Sequence, residues 1–188
     1  EVLASPYLAY PVRRLDFCPQ SDGACALVLA EESKAKKLAR QPAWIKAVAT
    51  AHEQQYMGDS PKRLADMRSQ RAASQRVYQA CGISDPVKDL DVAEIYEVAT
   101  YAELAMYENL GFCRPGQAGK LIDQGVTAMD GALPVNPSGG VLATNCIGAT
   151  AMIRVAEAAL QIMGQAGKRQ IPNARLALAT GYGGNAWT

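Results

Sequence analysis

The feature that most constrains this chain is the stretch PVNPSGGVLATNCIGATAMIRVAEAALQIMG, residues 134–164, in which a cluster of turn formers empties into an apolar helical run. Asn136-Pro137-Ser138-Gly139-Gly140 lets backbone pass where side chains would collide. Gly148-Ala149-Thr150 then opens a helix that the pattern carries over 149–163 and stops at Gly164. Asn145 and Cys146 therefore sit in a loop aimed at a helix N-terminus, where unpaired N–H groups and the positive end of the helix dipole favour an anion, a thiolate or an oxyanion. The plainer alternative is a tight turn in which Asn145 braces the backbone and Cys146 is a small buried hydrophobe. Residue types alone favour that alternative.

The rest of the chain must supply a core for this helix. At 188 residues, 49% of them hydrophobic, it has the apolar surface for a substantial one. Residues 24–29 and 174–180 read as buried strands, 89–96 as a short strand, and 44–51 as a strand opening a second unit. Residues 31–40, 65–81 and 98–110 carry helical patterns, the second closed by Gly82 and the third by Gly111. Residues 1–18 read as extended or irregular, Tyr56-Met57-Gly58-Asp59-Ser60-Pro61 as a turn, and 111–131 as a long surface connection able to shape a pocket rim. Alternating strands and helices predict an α/β sheet with helices on its faces and a domain boundary near Arg40. Ligands of such sheets gather at the carboxyl ends of strands, which makes the junctions at Tyr96, Asn145 and Tyr182 candidates to converge.

Charge and cysteines narrow the function classes. A net charge of +1 leaves no basic stripe for nucleic acid, and no apolar run is long enough to span a bilayer. Cys18, Cys25, Cys81, Cys113 and Cys146 are scattered without CxxC spacing, which predicts the reduced thiols of a cytoplasmic protein rather than disulfides or a zinc site. The opening residues lack the character of a domain start and predict a preceding N-terminal part.

Taken in order, these segments resemble the thiolase superfamily, particularly its sterol-carrier-type and lipid-transfer-type thiolases. Ser21-Asp22-Gly23-Ala24 before an apolar run looks like the end of the N-terminal thiolase half, and Met57-Gly58-Asp59-Ser60-Pro61 resembles the family's MG-x-x-P turn. Asp89-Leu90-Asp91 leading into Tyr96-Glu97-Val98-Ala99 stands at the Asn-Glu-Ala-Phe or His-Asp-Cys-Phe motif. Asn136-Pro137-Ser138-Gly139-Gly140 and Asn145-Cys146-Ile147-Gly148-Ala149-Thr150 fit the NPSGG and GHP-x-GAT motifs, and 178–184 the closing strand and its Gly-rich loop. The resemblance implies a thiolase-like α/β fold. Residues 41–188 would form the C-terminal half-domain, a mixed sheet with helices on both faces, and 1–40 the last strand and helix of the N-terminal half.

The departures bear on chemistry. Thiolases use a nucleophilic Cys, a His from the GHP motif, a second acid/base Cys, and an Asn or His that helps hold the thioester oxygen. Here Asn145 stands at the GHP His, Tyr182 at the second Cys and Tyr96 at the Asn or His, while the sole histidine, His52, lies outside every motif. In that family the nucleophilic Cys belongs to the N-terminal half, which the resemblance would place before these residues. The implied catalytic set is Tyr96, Asn145 and Tyr182, with Glu97, Cys146, Gly183 and Gly184 as substrate-binding neighbours and no metal. A phenol ionises near ~10, so either tyrosine is a natural donor to a carbonyl oxygen, or else plugs the pocket. Alternation along a strand sends Glu97 to the face opposite Tyr96, and Asn145 orients a carbonyl or a water, or braces its loop.

The resemblance thus implies an acyl-CoA enzyme that makes or breaks a carbon–carbon bond, with coenzyme A as co-substrate and no bound cofactor. Two alternatives stand beside it. One is a thiolase-fold retro-aldol lyase acting on a 3-hydroxyacyl-CoA; related steroid side-chain aldolases use tyrosines at the positions of Tyr96 and Asn145, of which only the first matches. The other is a non-catalytic lipid or acyl-CoA carrier. Implied partners are the N-terminal thiolase half, a second copy in a homodimer, and a small OB-fold/zinc-ribbon subunit.

Overall fold

The computed structural model describes residues 1–52 and 65–183, so the expected turn at 56–61 and Gly184 lie outside the described residues. In chain order the elements are β1 (Tyr7–Ala9), β2 (Val12–Arg13), α1 (Glu32–Leu38), α2 (Arg68–Cys81), α3 (Pro86–Asp89), β3 (Val92–Glu94), α4 (Thr100–Asn109), α5 (Ala118–Asp123), α6 (Gly140–Ala143), α7 (Thr150–Ile162) and β4 (Ala177–Ala179). Strands β1 and β2 form an antiparallel pair.

The molecule is organised on β3. It pairs in parallel with β4, Val92 opposite Ala177 and Glu94 opposite Ala179. On its other side Ala93 bridges Val135 in parallel, donating to Pro134 and accepting from the Asn136 N–H. Both edges of β3 are thereby satisfied and all three of its residues are buried. Its side chains alternate as pleating requires. Ala93 and Ile95 join Met106 and Tyr107 of α4, Leu110 just past its end, Phe112, Leu121 of α5 and Leu133 in the main core. Val92 packs with Ile171 and Ala174, and Glu94 meets α7. Helix α7 offers one face to this side, with Thr150, Arg154, Ala158 and Gln161 buried at helical spacing. Helices thus cover both faces of the paired strands, as the α/β expectation requires.

Three expectations are corrected. Residues 24–29 form no strand; Val28 is 92% and Leu29 77% exposed. Residues 44–51 likewise run without a ladder, with Ile45 and Val48 exposed. An apolar run specifies a strand only where a neighbour supplies hydrogen bonds, and none among the described residues does so. Residues 111–131 are not a bare surface connection: Phe112 and Leu121 enter the core and α5 forms there. Elements elsewhere are shorter than expected by a few residues, α2 beginning at Arg68 and β3 ending at Glu94, while Gly82 closes α2 in the left-handed conformation at φ 70°. Among the described residues no helix is long and apolar enough to cross a membrane.

Candidate functional site

The site begins where β3 ends. Tyr96 N–H donates to Thr180 Oγ1 at 2.8 Å, which locks the second residue beyond β3 to the residue after β4. That lock brings the loop of Tyr182 alongside. The Tyr96 and Tyr182 rings lie 6.3 Å apart at 37°, with Tyr96 buried and Tyr182 38% exposed. The pair therefore runs from the interior to the surface. Gly183 is exposed.

Asn145 stands at the head of α7. Its Oδ1 accepts from Thr150 Oγ1 at 2.8 Å, so it holds the first turn of the helix, and its Nδ2 donates to Cys18 Sγ at 3.3 Å. Ser21 N–H donates to the Asn145 carbonyl at 3.0 Å. Residues 16–18 are tied in turn to the start of α4, through the Cys18 N–H to Val98 and Thr100 Oγ1 to Asp16 Oδ1 at 3.0 Å. Cys146 packs so closely on Gly23 that a Cβ there would lie 2.4 Å from its Sγ, which explains a glycine at that step of the turn. Gln20, Ser21, Asp22, Asn145, Cys146 and Ile147 line an open hollow of about 330 Å³. Neither tyrosine lines it, but Gly181 packs against Ala151 in the first turn of α7, so the tyrosine loop adjoins the helix that Asn145 heads. His52 is exposed and lines a different hollow with Arg68 and Arg76.

Beneath the strand end lies a buried polar layer of which the sequence singles out only Glu97 as a site residue, as a substrate-binding neighbour. Arg154 of α7 donates to Glu94 Oε2 at 2.8 Å and to Ser138 Oγ at 2.7 Å, and Ser138 donates to the same carboxylate through its hydroxyl at 2.7 Å and its N–H at 3.2 Å. Glu97 is 1% exposed: Asn136 Nδ2 donates to its Oε2 at 2.6 Å and the Leu142 N–H to its Oε1 at 3.0 Å. Asn136 adopts φ 50° and also accepts the Ile95 N–H at 2.7 Å. A Cβ at Gly140 would lie 2.1 Å from Glu97 Oε1, so the second glycine of the turn is required by the carboxylate it encloses. The Asn-Pro-Ser-Gly-Gly cluster is in effect a socket for Glu94 and Glu97. Only the period-2 spacing of Glu94 from Val92, on the α7 face of a buried strand, signalled it.

Burial raises the pKa of Glu94, against the pull of Ser138 and Arg154, and that of Glu103 against the hydrogen bond from Tyr107. It pushes Glu97 up to about 7, despite the Leu142 N–H. A carboxyl group with a folded pKa above its unfolded value stabilises fully only below the unfolded value, and that stabilisation is lost as pH rises through the folded one. Stability is therefore expected to fall between about pH 4.5 and pH 7.5. Glu31, Asp85 and Asp89, held low at the surface by hydrogen bonds, act below that window. Urea midpoints across it check the sign, and a midpoint that climbs would contradict the buried-carboxylate account.

A family model described as thiolase C-terminal domain-like matches residues 49–188. The chain is 33% identical to human sterol carrier protein 2 over 97% of its own length and 34% of that protein's. It is 31% identical to the acetyl-CoA acetyltransferase of Methanothermobacter thermautotrophicus, over 100% of its own length and 49% of that protein's. The chain thus spans from about a third to about half of the length of the curated relatives it matches. The solved structure of an Ltp2-ChsH2(DUF35) aldolase superposes with a TM-score of 0.75 at 24% identity, covering 92% of this chain and 45% of that one, which is a likeness of fold.

Proposed function

The chain belongs to the thiolase C-terminal domain-like family, and from that premise we propose that it acts on a CoA thioester, making or breaking the C2–C3 bond, one carbon removed from the thioester carbonyl. The observation that carries the reading is the lock of Tyr96 to Thr180, which sets two phenols side by side at the ends of β3 and β4. Donors held in this way stabilise negative charge that develops on a thioester oxygen. In this reading Tyr96, Tyr182 and Asn145 surround the acyl group, with Cys146, Gly183 and Gly184 at its rim.

In the thiolytic form, a cysteine thiolate adds to the C3 carbonyl of a 3-oxoacyl-CoA, the C2–C3 bond breaks to leave the acyl group on that cysteine, and CoA–SH then takes the acyl group and returns the thiol. The electron pair of the broken bond stays on C2 as an enolate, which then takes a proton. The nucleophilic Cys that would carry the acyl group lies on the preceding half, with 1–40 its last piece and 41–188 the C-terminal half. Similarity to acetyl-CoA acetyltransferases supports this form. A second form is favoured by the phenol pair itself. Retro-aldol cleavage of a 3-hydroxyacyl-CoA removes the 3-hydroxyl proton and breaks the same C2–C3 bond: C3 leaves as a carbonyl, the electron pair passes to C2 as an enolate that takes a proton, and no acyl-cysteine forms. Coenzyme A is co-substrate only in the first form, and neither form invokes a resident cofactor or a metal.

The exposed apolar residues Val28, Leu29, Ile45 and Val48 support assembly with the N-terminal half and a second copy of the chain. The fold likeness to an aldolase with a DUF35 component supports a small OB-fold/zinc-ribbon subunit beside them. A cytoplasmic location is part of the same proposal.

The test is a pair of assays on one preparation: CoA-dependent cleavage of a 3-oxoacyl-CoA, and cleavage of a 3-hydroxyacyl-CoA without free CoA. Turnover only in the first supports thiolysis, and only in the second the aldol form. Binding without turnover in either sinks both in favour of a carrier. Tyr182, half open to solvent, also decides its own role: Tyr182→Phe near wild-type turnover marks it as packing, and a loss of ~10²-fold marks a second donor.

A further inference from the structure

Glu97 follows Tyr96 directly, and its carboxylate reaches two other segments of the chain. Asn136 Nδ2 holds one oxygen and the Leu142 N–H holds the other. Leu142 belongs to α6, whose end passes through Thr144 into Asn145. One side chain therefore ties the strand end that carries Tyr96 to the short helix that leads to Asn145. Gly140 packs directly on this carboxylate, so close that a Cβ there would lie 2.1 Å from Glu97 Oε1.

We propose that Glu97 is a positioning residue that holds Tyr96 and the Asn145 loop at their working separation, and that it does so in its ionised form. This deepens, and rests on, the reading that Tyr96 and Asn145 act on one acyl group. Charge matters because both oxygens receive N–H donors from fixed groups, and such donors bind a carboxylate more strongly than a carboxylic acid. Burial opposes that charge and brings the titration to about 7. Glu103 of α4 raises it further and Arg154 of α7 lowers it, while Tyr107 and Glu94 share the same interior. The clamp therefore tightens as pH rises through neutrality.

Glu97→Gln is the direct probe. Its amide has one oxygen and one NH2 group, so a donor faces either Asn136 Nδ2 or the Leu142 N–H and one tie is lost at every pH. Asn136→Gly is the second probe; it removes one donor to Glu97, together with the acceptor of the Ile95 N–H, while glycine keeps the φ of 50°. The full chain, with the subunits it purifies with, is followed from about pH 5.5 to about pH 9 by kcat, KM and the NMR shift of the Leu142 amide. In the wild type the Leu142 shift and kcat are expected to titrate with one midpoint near 7. Glu97→Gln should abolish that midpoint and lower kcat by ~10–100-fold, with KM changed by less than ~3-fold. Asn136→Gly should move the midpoint upward. A Leu142 titration that is absent, or that survives in Glu97→Gln, overturns the proposal, as does a kcat profile unchanged by either variant. If the wild type turns over neither substrate, the proposed chemistry fails with the catalytic part of this inference, and the Leu142 titration still decides whether the clamp exists.

Discussion

Tyr96→Phe is expected to lower turnover by ~10²–10³ while leaving the affinity for CoA nearly unchanged, because the hydroxyl is needed only where charge develops on the thioester oxygen. The substitution is clean on structural grounds. The backbone of Tyr96 is held by Thr180 Oγ1, and that of Ile95 by Asn136 Oδ1, so neither anchor depends on the phenol. The ring remains to fill its buried place against Tyr182. A fall in kcat without a change in fold or in CoA binding therefore reads the lost donor and nothing else. Steady-state kinetics on whichever substrate proves active, together with calorimetric titration of CoA, make the measurement. Wild-type turnover in Tyr96→Phe would end the proposal that this strand end carries the chemistry. The carrier reading would then lead.

How far the sequence could be read depended on whether a segment's partners were local. The helix over 149–163 was legible because its period and its closing glycine sit within one stretch, and α7 occupies Thr150–Ile162. The short strands ending near Tyr96 and Thr180 were legible as apolar runs between turn formers, and they pair as β3 and β4. Residues 24–29 and 44–51 have equally good strand patterns and yet form no ladder, since pairing is a property of two segments and the pattern describes one. Helix α5 was missed for the opposite reason: six residues, Ala118–Asp123, are too few to show a period, and it is Leu121 meeting the core that fixes them. The role of Asn145 could be framed from its place before a helix. Its tie to Cys18, 127 residues away in the chain, could not. Glu97 was legible as facing away from Tyr96, but the donors that receive it come from a turn some forty residues on.

The largest effect on stability is expected from Glu94→Leu. Breaking a buried ion pair by removing one partner costs about 3–5 kcal/mol, chiefly because the other charge is left without compensation. The two partners are unequal in this respect. If Arg154→Met removes the cation, Glu94 keeps the Ser138 hydroxyl and N–H and can take up a proton, for which burial has already raised its pKa. If Glu94→Leu removes the carboxylate, the guanidinium cannot discharge itself, and Arg154 retains Ser138 Oγ while its Nε is already buried without a partner among the described residues. Glu94→Leu should therefore cost the full amount at every pH, whereas Arg154→Met should cost less in mild acid and more as pH rises. The double variant should recover most of the loss, because two apolar side chains leave no charge to compensate. Urea unfolding of the three variants at two pH values tests this, and Glu94→Leu proving milder than Arg154→Met above neutrality would refute it. The same pair joins β3, the Asn-Pro-Ser-Gly-Gly turn and α7. Tyr96 lies two residues beyond Glu94, and Asn145 holds the helix in which Arg154 sits. A loss of stability in Glu94→Leu should thus be accompanied by a loss of turnover, because the buried pair and the candidate site share the same three segments of chain.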